Sequence, residues 1–92
     1  MIKNWKHEGL KNFYLLGDKS GIAFLHIQRI QVILQLLNAA TRPEHLSVPS
    51  LGFHSLKGQL KDFYAVKVRA NWRIIFQFDG EDATAVDYMD YH

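Results

Sequence analysis

Residues 63–78 read FYAVKVRANWRIIFQF, two alternating runs joined at Ala70-Asn71, and this stretch constrains the fold more than any other in the chain. A period of two places successive side chains on opposite faces of a strand. Tyr64, Val66 and Val68 then share one face and Ala65, Lys67 and Arg69 the other. After the turn, Trp72, Ile74, Phe76 and Phe78 alternate with Arg73, Ile75 and Gln77. The expected product is a hairpin with one large apolar face and one face that carries cations. A three-residue loop with Asn71 in the left-handed region would set Val68 opposite Trp72 and Lys67 opposite Arg73. Like charges facing each other on a sheet cost stability. Lys67, Arg69 and Arg73 are therefore either solvated edge charges or a landing place for an anion.

The remaining segments arrange themselves around this hairpin. Asp79-Gly80 is a second turn signal, and Ala83 to Met89 forms a third strand of a meander. Thr84, Val86 and Tyr88 should face the helices, because the opposite choice buries Asp87. Upstream, Leu10, Phe13, Tyr14 and Leu16 have helical spacing across Glu8 to Leu16, and Gly17 stops the helix. Asp18 to Gly21 is a turn, from which Ser20 can cap a second helix running to Ala39 or Ala40. Ala23, Ile27, Ile30, Leu34 and Leu37 form its core stripe, while Leu25, Val32, Ile33 and Leu36 lie off that stripe. A helix apolar around most of its circumference is wrapped by its own chain or by a partner. Thr41 and Glu44 have capping-box spacing, Val48-Pro49-Ser50 turns the chain back, and residues 52–58 arrive irregularly at the first long strand. Met1 to Lys6, with Ile2 and Trp5, is read as a short strand paired with the later ones. The expected fold is α+β: two N-terminal helices on one face of a twisted, mainly antiparallel sheet of about four strands.

A chain of 92 residues suffices for one core, so residues 1–92 are expected to form a single domain. With 48% hydrophobic and 22% charged residues, it has the composition of a folded globular chain. The absence of cysteine rules out disulfides and thiolate zinc sites. MIKNWKHE does not resemble a signal peptide and no apolar run is long enough to span a bilayer, so the cytoplasm is the expected location, without membrane contact. The net charge of +2 is too small for a protein that coats nucleic acid unaided. Its distribution is more informative. Residues 54–73 hold five Lys or Arg against Asp62 alone, and residues 74–92 hold five acids with no Lys or Arg. A local patch on a nearly neutral domain suits a specific anionic site better than a general polyanion surface.

Candidate chemistry lies in two short segments. His54-Ser55-Leu56-Lys57 pairs a group that titrates near neutrality with a permanent cation, and Asp90-Tyr91-His92 ends the sequence with a carboxylate, a phenol and an imidazole. His54, Tyr91 and His92 suit proton transfer, whereas Lys57 and Arg73 suit stabilisation of charge on non-bridging phosphate oxygens. The competing view is ordinary: a loop histidine on the surface and a frayed tail. A metal site on His54, Asp90 and His92 lacks any HxH or HExxH spacing, and no GxGxxG or GxxxxGK[ST] loop points to a nucleotide cofactor. No metal and no cofactor are expected.

Taken together, Phe53-His54-Ser55-Leu56-Lys57-Gly58, Asn71-Trp72-Arg73-Ile74 with Phe76 and Phe78, the terminal Asp90-Tyr91-His92, and Asn38-Ala39-Ala40-Thr41 closing the long helix resemble the HigB branch of the RelE-like toxins. The resemblance covers essentially the whole chain. Phe53 and Ser55 stand where the family pattern has Leu and Pro, and the loop before Asn71 lacks the usual glycine. It implies a type II toxin-antitoxin module whose toxin cuts mRNA on the ribosome and is neutralised by a HigA-type antitoxin, through which the complex would reach operator DNA. By the same resemblance, His54, Lys57, Arg73, Asp90, Tyr91 and His92 form the active site on the open sheet face, and Lys61, Lys67 and Arg69 of the cationic patch are then expected to contact the RNA. RNA brings its own nucleophile, the 2′-hydroxyl, so such a protein needs a base, an acid and cations but no metal. Relatives on this fold that inhibit DNA gyrase by binding are the alternative, and they would not need the histidines.

Overall fold

The computed structural model describes residues 1–91, and His92 lies outside the described residues. Helix α1 spans Glu8–Leu16 and α2 spans Ile27–Ala39; strands β1 (His54–Ser55), β2 (Tyr64–Arg69), β3 (Trp72–Asp79) and β4 (Asp82–Asp90) follow. The strands form one antiparallel sheet in the order β1-β2-β3-β4. The N-terminal segment runs parallel to β4, with bridges from Ile2 to Ala83 and from Trp5 to Val86. The expected α+β architecture is the one observed.

Local chemistry sets the helix ends. His7, a residue given no role from the sequence, caps α1 by accepting the Leu10 N–H on Nδ1 at 3.0 Å. Gly17 closes α1 at φ 73°, where a side chain would be strained. Ser20 does not cap α2. Its N–H instead donates to Asp18 Oδ1 at 3.0 Å, and α2 begins six residues later than the sequence suggests, after a 3₁₀ turn at Phe24–His26. The turn lies flush against α1, since a Cβ on Gly21 would sit 2.7 Å from the Gly9 Cα. The Thr41–Glu44 capping box is likewise absent. Pro43–Leu46 is a 3₁₀ turn, and the Thr41 N–H donates to His45 Nδ1.

The main core lies between the helices and one sheet face. Leu10, Ile30, Ile33, Leu34 and Leu37 meet Val66, Ile74, Phe76, Ala83 and Val86, all fully buried. Each such side chain contributes roughly 1.5–3 kcal/mol through burial. Two bulges adjust the sheet. Lys67 pairs with Arg73 as expected, but Arg69 rather than Val68 pairs with Trp72, and Ala70 (φ 51°), not Asn71, takes the left-handed conformation. On β4 the irregularity around Ala85 (φ 52°) reverses the alternation, so Ala83, Val86 and Tyr88 enter the core and Thr84 does not.

Candidate functional site

The sheet face away from the helices is not fully open. Leu56, Ala65 and Ile75 are buried there, with Leu60, Phe63, Met89 and Tyr91 packed around them. This small cluster holds down the segment after β1, whose Leu56 N–H donates to the Phe63 carbonyl at 2.9 Å. Lys57 is the next residue. It stands exposed on an anchored loop rather than a floppy one.

Register fixes the rest of the site. His54, Ala65, Ile75 and Asp87 form one row across the four strands, and Lys67, Arg73 and Met89 form the next row but one along them. Paired residues share a face, so His54, Lys67 and Arg73 all belong to the face of the small cluster. With strands about 4.8 Å apart and about 3.4 Å per residue, the His54 and Arg73 backbones lie roughly 12 Å apart, a gap two long side chains can close on one phosphodiester. Lys61 and Arg69 are exposed, but the bulge pairs Arg69 with Trp72, which packs on the main core, so Arg69 does not share the face of Lys67 and Arg73 as the alternation suggested.

His54 Nδ1 lies 2.9 Å from the Gly52 carbonyl. A carbonyl can only accept, so Nδ1 carries a proton, and of the two neutral tautomers this contact favours the one that leaves Nε2 bare. Arg73 Nη1 donates to the Ala70 carbonyl at 2.6 Å and to the Trp72 carbonyl at 3.1 Å. Those bonds orient the guanidinium at the β2–β3 turn and leave Nε and Nη2 with donors for an anion. Tyr91 joins this end of the sheet through its N–H, which donates to the Asn71 carbonyl at 2.8 Å, and its half-buried ring packs with the small cluster. Asp90 pairs with Trp72 and by strand alternation falls on the helix-facing side, opposite Tyr91. The structure thus brings His54, Lys67, Arg73 and Tyr91 to one face and, against the expectation, places Asp90 on the other. Among the described residues, no three His, Asp or Glu side chains are placed to hold a metal ion.

Two polar features escaped the sequence analysis. His26 is a buried polar residue, and its Nδ1 lies 2.6 Å from the Tyr88 hydroxyl, beneath Trp72. Burial pushes the Tyr88 hydroxyl above its ordinary range, the Ala23 backbone pulling the other way. Arg29 is the second, and a signal for it existed: it is the sole charged residue in α2 and stands in the first turn, where the helix dipole disfavours a cation.

A family model described as "RelE-like toxin of type II toxin-antitoxin system HigB" matches residues 3–92. The chain belongs to the HigB-like toxin family. It is 41% identical over 92 residues to a Proteus vulgaris protein named Endoribonuclease HigB, covering the full length of both. Its fold is similar to that of a YoeB/ParE toxin from Agrobacterium tumefaciens, with a TM-score of 0.53, 11% identity, and coverage of 97% of this chain and 99% of that one. At that identity the likeness concerns the fold alone. Membership of a type II family brings an antitoxin as partner of this HigB-like toxin.

Proposed function

We propose that this HigB-like toxin is a cytoplasmic endoribonuclease that cuts translated mRNA on the ribosome and works as one domain over residues 1–92. The observation that carries the proposal is the shared sheet face, where His54, its Nδ1 on the Gly52 carbonyl, stands across the small cluster from Arg73 and Lys67. The full-length match to a relative named for endoribonuclease activity supports the same chemistry. In the proposed reaction the 2′-hydroxyl attacks the adjacent phosphorus as a base takes its proton. The P–O5′ bond breaks and an acid protonates the departing 5′-oxygen, while Arg73 and Lys57 stabilise the equatorial oxygens. His54, Tyr91 and His92 are the groups proposed for proton transfer, Asp90 joining the proposed site from the other side of the strand end, with Lys61, Lys67 and Arg69 contacting the RNA backbone. No metal or cofactor is required.

The ribosome presents the message, which suits a toxin with a net charge of only +2. A HigA-type antitoxin is proposed to cover the helix layer, where Phe24, Leu25, Val32 and Leu36 are exposed and a groove of about 410 Å³ is bordered by Tyr14, Lys19, Ile27 and Gln31. Operator DNA would be reached through that antitoxin.

Inducible expression in bacteria followed by mapping of mRNA 5′ ends tests the proposal. Cuts confined to translated frames are expected. Growth arrest with intact messages and damaged DNA would instead identify a ParE-like gyrase inhibitor.

A further inference from the structure

Strand β1 pairs with Tyr64 and Ala65, and among the described residues the edge of β2 beyond Ala65 has no strand partner on that side. Arg29 supplies donors there. From the first turn of α2 its Nε and Nη2 donate to the Lys67 carbonyl at 3.1 and 3.0 Å, and Nη2 also donates to the Ser50 carbonyl at 2.6 Å. One guanidinium thereby ties the segment before β1 to the strand that bears Lys67. The tie lies against the site: a Cβ on Gly52 would be 3.9 Å from Lys67 Cβ, and the Gly52 carbonyl is the group that holds His54 Nδ1.

We infer that Arg29 is a positioning residue, clamping the Ser50 and Lys67 carbonyls so that the Gly52 carbonyl stays under His54 and fixes the tautomer that leaves Nε2 free. Three features converge on this. The cation opposes the dipole of its own helix, so its place is explained by the carbonyls it reaches rather than by α2. Its planar fork serves two segments at once, which an ammonium on a flexible stem reproduces poorly. The β1 strand it supports is only two residues long and holds few ladder bonds of its own. Without the clamp, residues 50–54 can lift from β2, and the imidazole loses its partner and its orientation.

The catalytic consequence rests on the proposed role of His54, and the experiment separates the two. Nitrogen-15 shifts of the His54 ring, recorded across pH on wild-type protein, Arg29→Gln and Arg29→Lys, report the tautomer without reference to activity. Melts and cleavage of ribosome-bound mRNA follow on the same proteins, with His54→Ala alongside. Wild type should show the Nδ1-protonated form. Arg29→Gln should shift the ring toward the other tautomer and lower kcat about 10- to 100-fold, as small misplacements of reacting groups do, with KM changed less and Arg29→Lys intermediate. An unchanged tautomer in a folded Arg29→Gln protein overturns the inference, even if its melting temperature falls. If the tautomer shifts but His54→Ala cleaves at the wild-type rate, the positioning stands and the catalytic role of His54 fails.

Discussion

The two faces of the sheet show what a small toxin can commit to stability and what it must leave free. Against the helices, Phe76, Ile74, Val66 and Val86 disappear into a continuous core. On the other face, among the described residues, the buried cluster is Leu56, Ala65 and Ile75, under a short cover of Leu60, Phe63, Met89 and Tyr91. The thick side specifies the fold. The thin side pins the loop bearing Lys57 and stops short of the Lys67–Arg73 pair, leaving two facing cations whose repulsion an incoming phosphate would relieve.

Substitution on each side should therefore fail in a different way. Phe76→Ala, deep in the thick side, should cost about 3–5 kcal/mol of stability, visible as a large drop in the denaturant midpoint. Arg73→Ala should keep its fold and lose ~10²- to 10³-fold in cleavage rate, about 2.7–4 kcal/mol of transition-state stabilisation. If Arg73→Ala instead unfolds the protein, or cleaves at the wild-type rate, the division between the faces collapses.

Deleting Tyr91 and His92 probes the thin side itself, because Tyr91 belongs to the cluster as well as to the proposed site. Cleavage should fall about 10²-fold, the scale of a lost acid-base group. Stability should fall by about 1–2 kcal/mol, less than for a fully buried aromatic because the ring is half-exposed. Tyr91→Phe, assayed beside the deletion, should retain the stability and lose only what the hydroxyl supplies.

The smallest effect belongs to the core's phenol. Tyr88 is held protonated by burial, so its folded pKa lies above the unfolded value of about 10. The unfolded chain then releases that proton first. The stabilising contribution is complete below about pH 10 and is lost as pH rises through the folded value. Melting temperatures followed upward from pH 9 should decline more steeply in wild type than in Tyr88→Phe.

Much of this contrast was legible in the sequence. Alternation through residues 63–78 gave both long strands, their apolar face and the Lys67–Arg73 pairing, and the short motifs gave the family. What escaped was set by backbone events with no side-chain pattern: the bulge that sends Ala83 inward in place of Thr84, the left-handed Ala70, and the 3₁₀ turn that precedes α2. Of the candidate site, residue identities were readable but their sides were not. Asp90 and Tyr91 are adjacent in sequence and fall on opposite faces of β4, and the small cluster that recruits Tyr91 joins residues far apart in the chain.

In the proposed function the thin side directs the substrate's own 2′-hydroxyl against the phosphate without a metal. End-group analysis of the fragments from ribosome-bound mRNA tests it most directly. Attack by the 2′-oxygen must leave a 2′,3′-cyclic phosphate, or the monophosphate from its opening, on the upstream fragment and a 5′-hydroxyl on the downstream one. A 5′-phosphate opposite a free 3′-hydroxyl would contradict the account, since those ends require attack by water.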